Sequence, residues 1–162
     1  MIDAARRVTV LAAAFALTML AGPPVCAAPA AVKPSVAELF REFGLFGRWA
    51  VDCGAPASAS NPHVHDETLG GGVVVETHDL GPGNVKNRYS VLSVERVGPD
   101  RIGLRVIFLP GTDFEERQLL EIVVRGDTRR TMLNQPDGEP PRVREGVALG
   151  FGLKTPVLRK CG

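Results

Sequence analysis

This sequence has few of the residues on which nucleic-acid sites depend. Its 162 residues include one Trp, one Tyr and seven Phe, and its formal net charge is +1 at pH 7. A chain so close to neutrality has no overall field that attracts nucleic acid or an anionic membrane surface. Aromatic side chains for stacking on bases are scarce, and no motif interleaves them with basic residues. We therefore predict no nucleic-acid partner.

Familiar catalytic motifs are also missing from the sequence. It contains no G-x-S-x-G nucleophile turn, no phosphate-binding glycine loop and no H-E-x-x-H metal motif. Acidic pairs such as Asp113 with Glu115 occur, but nothing places two carboxylates on opposite sides of a cleft, as glycoside hydrolysis requires. We predict a protein that is not an enzyme and that has no organic cofactor.

The first 30 residues have the layout of a secretory signal peptide. Arg6 and Arg7 precede an apolar run over 8–21, and small residues and Pro fill 22–30. The run is shorter than the roughly 20 apolar residues that span a bilayer. An A-x-A motif predicts cleavage after Ala30, with Ala27 as a second position. We predict a signal peptide over 1–30, a single domain over 31–162, a periplasmic or secreted location, and no stable membrane span after cleavage.

Two cysteines remain after this cleavage, and no C-x-x-C spacing relates them. In an exported chain such a pair predicts a structural disulfide between Cys53 and Cys161. In the chain-entropy model, a bridge closing so long a loop stabilises the fold by roughly 4 to 5 kcal/mol.

One helix is predicted, over 34–44, at the start of the domain. Ser35 and Glu38 form an S-x-x-E capping box, and Gly44 is suited to ending the helix in a left-handed conformation. An apolar stripe at helical spacing predicts that the helix packs on the domain as a lid; it is formed by Val36, Leu39, Phe40 and Phe43.

After the helix the pattern changes to the alternation of β-strands, with turn residues every few positions. The interpretation is an all-β antiparallel meander of about eight strands that closes into a small barrel. Alternation predicts two core faces, formed by Ile102, Leu104, Val106 and Phe108 and by Leu120, Ile122 and Val124. The predicted strands are 46–53, 62–69, 72–79, 85–97, 101–109, 114–125, 128–135 and 141–148, followed by a closing segment over 153–161.

The segment from Gly44 to Cys53 carries a resemblance. A helix followed by Gly47, Arg48 and Trp49 on a first strand, then a meander, resembles the lipocalin and calycin pattern. That resemblance implies a barrel in which Trp49 packs across the base and a basic residue near the C-terminus, here Arg159, covers it.

The chain also resembles small exported bacterial proteins of unassigned function. They share a W-A-x-D-C segment, an N-P soon afterwards and a T-P-x-L-x-x-C ending. Here these motifs are 49–53, Asn61 with Pro62, and 155–161 with one change of spacing. This resemblance implies a common fold and disulfide, and no particular activity.

A hairpin around Gly70 and Gly71 supplies the best metal-ligand set. A two-residue turn there pairs His63 with His78 and His65 with Glu76, and a turn one residue later pairs His65 with His78. In both registers His63, His65, Glu67, Glu76 and His78 share one face. Such ligands suit Zn, Cu or Ni.

The alternative for this hairpin is a solvated polar face. The opposite face then carries Val64, Val73 and Val75, which would pack in the core. A three-residue loop would change the register and separate the proposed ligands.

Basic residues late in the chain offer a further anion-binding hypothesis, with Arg125, Arg129, Arg130, Arg142 and Arg144 as its members. Cross-strand pairing with Glu115, Glu116 and Glu121 is the ordinary alternative.

Three functions follow from these observations. The first is binding of a small apolar molecule in the barrel. The second is binding of a cell-envelope protein, as an inhibitor or accessory factor, through loops such as 55–62 and 136–141. The third is metal handling by the histidine hairpin. The sequence does not specify the oligomeric state.

Overall fold

Alternating strands after residue 46 form a closed antiparallel barrel, as the sequence predicts. The structure is a computed structural model that describes residues 33–162, and the predicted signal peptide lies outside the described residues. Residues Lys33–Gly162 form one compact unit. Its elements are α1 Val36–Glu42, β1 Gly47–Ala50, β2 His63–Thr68, a single 3₁₀ turn Gly70–Gly72, β3 Val74–Asp79, β4 Asn87–Gly98, β5 Arg101–Phe108, β6 Glu116–Arg125, β7 Thr128–Pro136, β8 Val143–Arg144, β9 Val147–Ala148, β10 Leu153–Lys154 and β11 Leu158–Cys161.

Eight of these strands make the ring. β1 to β7 follow one another in chain order, each antiparallel to the next, and β11 lies between β7 and β1. Within residues 33–162, no helix combines the length and the apolar character needed to cross a membrane. For the part of the chain that the structure describes, the predicted fold class is confirmed: one helix, an eight-stranded antiparallel barrel and a long-range disulfide.

The predicted strand over 141–148 is wrong. This segment makes a small hairpin, β8 and β9, because Glu145 and Gly146 have positive φ angles of 51° and 71°. β10 pairs with β9, so β8 to β10 form an excursion outside the ring. The eighth barrel strand is β11, from the predicted closing segment.

Helix α1 begins and ends as its sequence predicts. Ser35 and Glu38 form the reciprocal capping box, and Gly44 has φ 65°. The N–H of Leu45 donates to the carbonyl of Phe40 at 2.8 Å, as in a Schellman motif. Phe40 and Leu45 are fully buried, so the end of the helix is fixed against the barrel.

The Cys53–Cys161 disulfide is present, with Cα atoms 5.6 Å apart and a sequence separation of 108. Cys53 follows β1 and Cys161 ends β11, and these two strands are hydrogen-bonded neighbours. The bridge therefore joins the first strand of the ring to the last.

The barrel core is formed by the predicted faces of β5 and β6. Ile102, Leu104 and Val106 are almost completely buried, and they pair across the sheet with Ile122, Leu120 and Gln118. Most of the interior is thus filled by apolar side chains, as expected for an eight-stranded ring.

The β2–β3 hairpin has a different register from the two predicted. Its loop is the three-residue turn Gly70–Gly72, which pairs Asp66 with Glu76 and Val64 with His78. An odd loop length reverses the parity between the strands, so each residue of β3 changes face relative to β2. Val73, predicted to be in the core, is 45% exposed.

Candidate functional site

A buried ion cluster lies inside the barrel, built from β2, β3 and β7. Arg129 Nη1 donates to Asp66 Oδ2 at 2.5 Å, and Arg129 Nη2 donates to Glu76 Oε2 at 2.6 Å. All three side chains are at most 3% exposed. Asp66 and Glu76 are directly paired across neighbouring strands, so one guanidinium serves both carboxyl groups.

The charges of this cluster balance when Asp66 carries a proton. Burial raises the pKa of Asp66 well above its ordinary value, and Glu76 adds to that effect although Arg129 opposes it. The second Asp66 oxygen, Oδ1, is buried without a partner among the described residues, which disfavours a charge on this group. Burial alone would raise the pKa of Glu76, but Arg129 and then His78 outweigh it and lower that pKa.

His78 connects the cluster to a cavity. Its Nε2 lies 2.6 Å from Glu76 Oε1, and 22% of its side chain is exposed. Its ring lies 5.0 Å from that of Tyr89, which in turn lies 5.1 Å from Phe108. Burial, followed by the charge of Glu76, raises the pKa of Tyr89, so its hydroxyl stays protonated.

The cavity has a volume of about 270 Å³ and is open to solvent. Apolar side chains supply much of its wall: Pro62, Val64, Leu80, Val143 and Leu158. Polar groups also line it: His78, Tyr89, Arg129, Arg130, Thr131, Asn134 and Thr155. A concave, largely apolar surface with a few polar groups is typical of small-molecule sites.

A chain of hydrogen bonds leads from the surface to this cavity. Arg142 donates to both oxygens of Glu116 at 2.7 Å, and Gln118 Nε2 donates to Glu116 Oε1. Asn134 Nδ2 then donates to Gln118 Oε1 at 3.1 Å. Glu116 and Gln118 lie on the inner face of β6. Asn134 lies on the inner face of β7, where it pairs with Leu120.

Trp49 is 1% exposed and belongs to the same core cluster as Phe40 and Leu45, and its Nε1 donates to the carbonyl of Leu45 at 2.7 Å. The prediction that Arg159 covers it is corrected. Lys160 Nζ lies 5.3 Å from the Trp49 ring and the Arg129 guanidinium 5.7 Å, whereas Arg159 is exposed. In β11 it is Lys160 that pairs with Trp49, so Arg159 lies on the opposite face.

The predicted metal-ligand set is not brought together. Glu76 and His78 face the interior, whereas His63 and His65 lie on the outer face, where they pair with Asp79 and Thr77. His63 Nε2 contacts the carbonyl of Ala55 at 3.1 Å. The physical reason is the odd hairpin loop. Over residues 33–162, no group of three or more His, Cys, Asp or Glu side chains is placed to hold a metal ion.

The predicted arginine cluster is also divided. Arg129 is in the buried ion cluster, Arg142 pairs with Glu116 and Arg125 pairs with Asp100. Arg130 instead donates to Thr155 Oγ1 and to the carbonyl of Gly146. Pairing with Glu116, one of the carboxylates in the predicted alternative, accounts for Arg142, whereas the partner of Arg125 is Asp100, which that alternative did not include.

Asn61 has a role that sequence reasoning missed. Its Oδ1 accepts from the N–H of Asp52 at 2.9 Å, and its Nδ2 donates to the carbonyls of Asp52, Ala55 and Pro56. These bonds tie the loop over 55–62 to the end of β1, and Ala59 and Pro62 of the same loop line the cavity. The N-P motif following W-A-x-D-C is the signal that points to it.

These features define a class: a small, disulfide-closed, eight-stranded antiparallel barrel with a cavity beside a buried ion cluster. Comparison with protein-family models, curated proteins and solved structures gives no significant match for this chain.

Proposed function

We propose that this protein is an exported, non-enzymatic binding protein that holds a small, mainly apolar molecule in the barrel cavity. The observation that carries the proposal is the cavity of about 270 Å³, with walls formed largely by apolar side chains. Burying an apolar ligand against such walls is favourable by about 25 cal/mol per Å² of apolar surface removed from water.

The ionisable groups beside the cavity support binding in preference to catalysis. Asp66 and Glu76 are both held by Arg129, and Glu76 also contacts His78. Neither carboxyl group lines the cavity, and Arg129 holds both, so neither is placed to exchange a proton with a bound molecule.

Export is the proposed setting. The predicted signal peptide and the Cys53–Cys161 disulfide both suit a periplasmic or secreted protein, since disulfides persist in oxidising compartments. Kinship with calycins or with the W-A-x-D-C proteins is likewise part of the proposal.

A cavity-filling variant tests the proposed function. Val143→Trp places a large side chain in the cavity, whereas Val85→Trp adds the same side chain at a position that is 79% exposed and outside the cavity. Native mass spectrometry of protein purified from its own compartment should show a bound small molecule in the wild type and in Val85→Trp. Val143→Trp should lose it. Equal retention by both variants would contradict binding in this cavity.

A second candidate function is binding of an envelope protein. The tip between β9 and β10 exposes apolar side chains: Leu149 is 51% exposed, Phe151 83% and Leu153 66%. Exposed apolar clusters of this kind mark interaction sites. The same native spectra distinguish the two functions, because a protein partner that Phe151→Ser removes and Val143→Trp retains would favour this second function.

A further inference from the structure

The tip between β9 and β10, residues 147–153, carries no polar side chain. Its sequence is VALGFGL, and it belongs to the excursion outside the ring. Leu149, Phe151 and Leu153 are each more than half exposed, and Phe151 is more exposed than any other large apolar side chain among residues 33–162. Three large apolar side chains of one short turn thus face water, which marks a surface used for binding.

The backbone of the tip is hydrogen-bonded within the excursion. The N–H groups of Phe151 and Gly152 donate to the carbonyl of Ala148 at 3.1 and 2.8 Å. The N–H of Leu149 donates to the carbonyl of Arg142 at 2.9 Å. An apolar layer offers backbone groups no hydrogen bonds, so an unpaired group that enters it is costly. The tip can leave water with these N–H groups already paired.

Two basic residues lie at the base of the tip. Arg144, Val147 and Lys154 are directly paired across β8, β9 and β10, so their side chains share one face of the excursion. Neither basic side chain pairs with a carboxylate of the described residues, and Glu145 is the one acid in the segment 143–154. The excursion therefore has a local positive charge, although the whole chain is close to neutral.

The area of the tip fits a bilayer surface better than a protein partner. A specific protein interface takes about 800 Å² from each partner. The three exposed side chains present roughly 400 Å² between them, on the scale of 150 to 250 Å² for one fully covered aromatic side chain. A bilayer needs no matching surface, and apolar side chains next to Lys or Arg are the combination by which peripheral segments attach to anionic lipid.

We propose that the tip inserts its apolar side chains into the surface of an anionic lipid bilayer, with Arg144 and Lys154 at the level of the lipid phosphates. The attachment is peripheral and reversible, because even a single acyl chain gives only reversible binding. It goes beyond the proposed function and does not depend on it, since no residue of the tip lines the cavity.

Vesicle flotation of the mature, disulfide-intact protein tests the attachment. The vesicles consist of phosphatidylcholine alone or of equal parts of phosphatidylcholine and phosphatidylglycerol. The protein should float with the mixed vesicles. Its affinity for phosphatidylcholine alone should be at least fivefold lower, since one basic residue near an anionic surface contributes a factor of about five.

Matched variants locate the contact. Phe151→Ser should lose binding to the mixed vesicles, whereas Val85→Ser, at a position that is 79% exposed and outside the tip, should bind as the wild type does. Lys154→Gln should weaken binding to the mixed vesicles by about fivefold. Lys86→Gln removes the same charge outside the tip, from a residue paired with Asp79, and should leave binding nearly unchanged.

A fluorescent variant reports insertion directly. The emission of Phe151→Trp should shift to shorter wavelength on mixed vesicles and should be quenched by brominated lipid, whereas Val85→Trp should show neither change. Trp49 contributes the same background to both variants, because it is buried.

The outcomes separate a bilayer from other occupants of the tip. Failure of the wild type to float with the mixed vesicles, or equal flotation of Phe151→Ser, would overturn the proposal. Self-association or capture of an envelope protein that Phe151→Ser abolishes, without any binding to vesicles, would assign the tip to that partner instead. None of these results would contradict binding of a small molecule in the cavity, which has its own test.

Discussion

Replacing Arg129 by Met would leave Asp66 and Glu76 facing each other inside the barrel with no cation between them. Both carboxyl groups are at most 3% exposed, and each accepts one of the two short bonds from the guanidinium. Removing one partner from a buried ion pair costs about 3 to 5 kcal/mol, because the remaining charge stays buried and uncompensated. We expect a loss of that size in the free energy of unfolding at neutral pH.

The loss should depend on pH in a defined direction. In the wild type the pKa of Glu76 is lowered, so its contribution to stability is present above its ordinary value of 4.5 and is lost as the pH falls through the lowered value. In Arg129→Met the largest offset to burial is gone and only the His78 contact with Glu76 remains, so both carboxyl groups take up protons more readily and cost less once neutral. The difference in stability between wild type and variant should therefore shrink from neutral pH toward acid.

Denaturant unfolding of the oxidised protein at several pH values measures this difference. Arg125→Met is the matched control, because Arg125 pairs with Asp100 while 73% of its side chain is exposed. Such a surface pair contributes about 1 kcal/mol or less. Adding Asp66→Asn and Glu76→Gln to Arg129→Met should recover much of the loss. A loss no larger than that of the Arg125 control, or one that does not vary with pH, would refute the account of the cluster.

Two further predictions concern stability. Cys161→Ser removes the disulfide, whose cysteines are 108 residues apart in the sequence. Denaturant titrations should show a free energy of unfolding lower by about 4 to 5 kcal/mol. An unchanged denaturation midpoint would show that the bridge does not restrict the unfolded chain. Asp66→Asn mimics the protonated acid. Because the raised pKa of Asp66 makes wild-type stability fall as the pH rises through it, the variant should gain stability relative to wild type at alkaline pH, and parallel pH profiles would count against a proton on Asp66.

Much of the fold is predictable because local signals and tertiary structure agree. The capping box at Ser35, the left-handed Gly44 and the alternation through β5 and β6 each specify structure within a few residues. The disulfide follows from there being only two cysteines after the predicted cleavage site. The alternation in β5 and β6 also shows that the sequence alone indicates which residues of one strand share a face.

The sequence does not indicate in the same way which residues of two neighbouring strands share a face. Three consecutive glycines at 70–72 permit loops of either odd or even length, and the structure uses all three. One residue decides whether Glu76 and His78 join His63 and His65 or face the interior instead. The metal hypothesis depended on that choice.

The positions of Asp66 and Glu76 within their strands indicate the ion cluster, but sequence reasoning did not use them. Asp66 is in phase with the buried Val64, and Glu76 is in phase with the buried Val74. Two acids on the inner faces of adjacent strands must be matched by an internal cation, by protonation or by both, as they are here. The cation could not be identified as Arg129 from sequence alone. β7 is distant from β2 and β3 in the sequence, and it lies across the barrel interior from them only because β11 closes the ring.

The position of β11 in the ring also sets the order in which the barrel can be completed. Strands β1 to β7 can pair in sequence as hairpins, but β1 keeps a free edge until residues 158–161 reach it. Pairing across such a sequence distance is slow compared with hairpin formation, and unpaired edges invite association with other chains. A barrel without β11 would therefore leave the facing edges of β1 and β7 open to pairing with other chains.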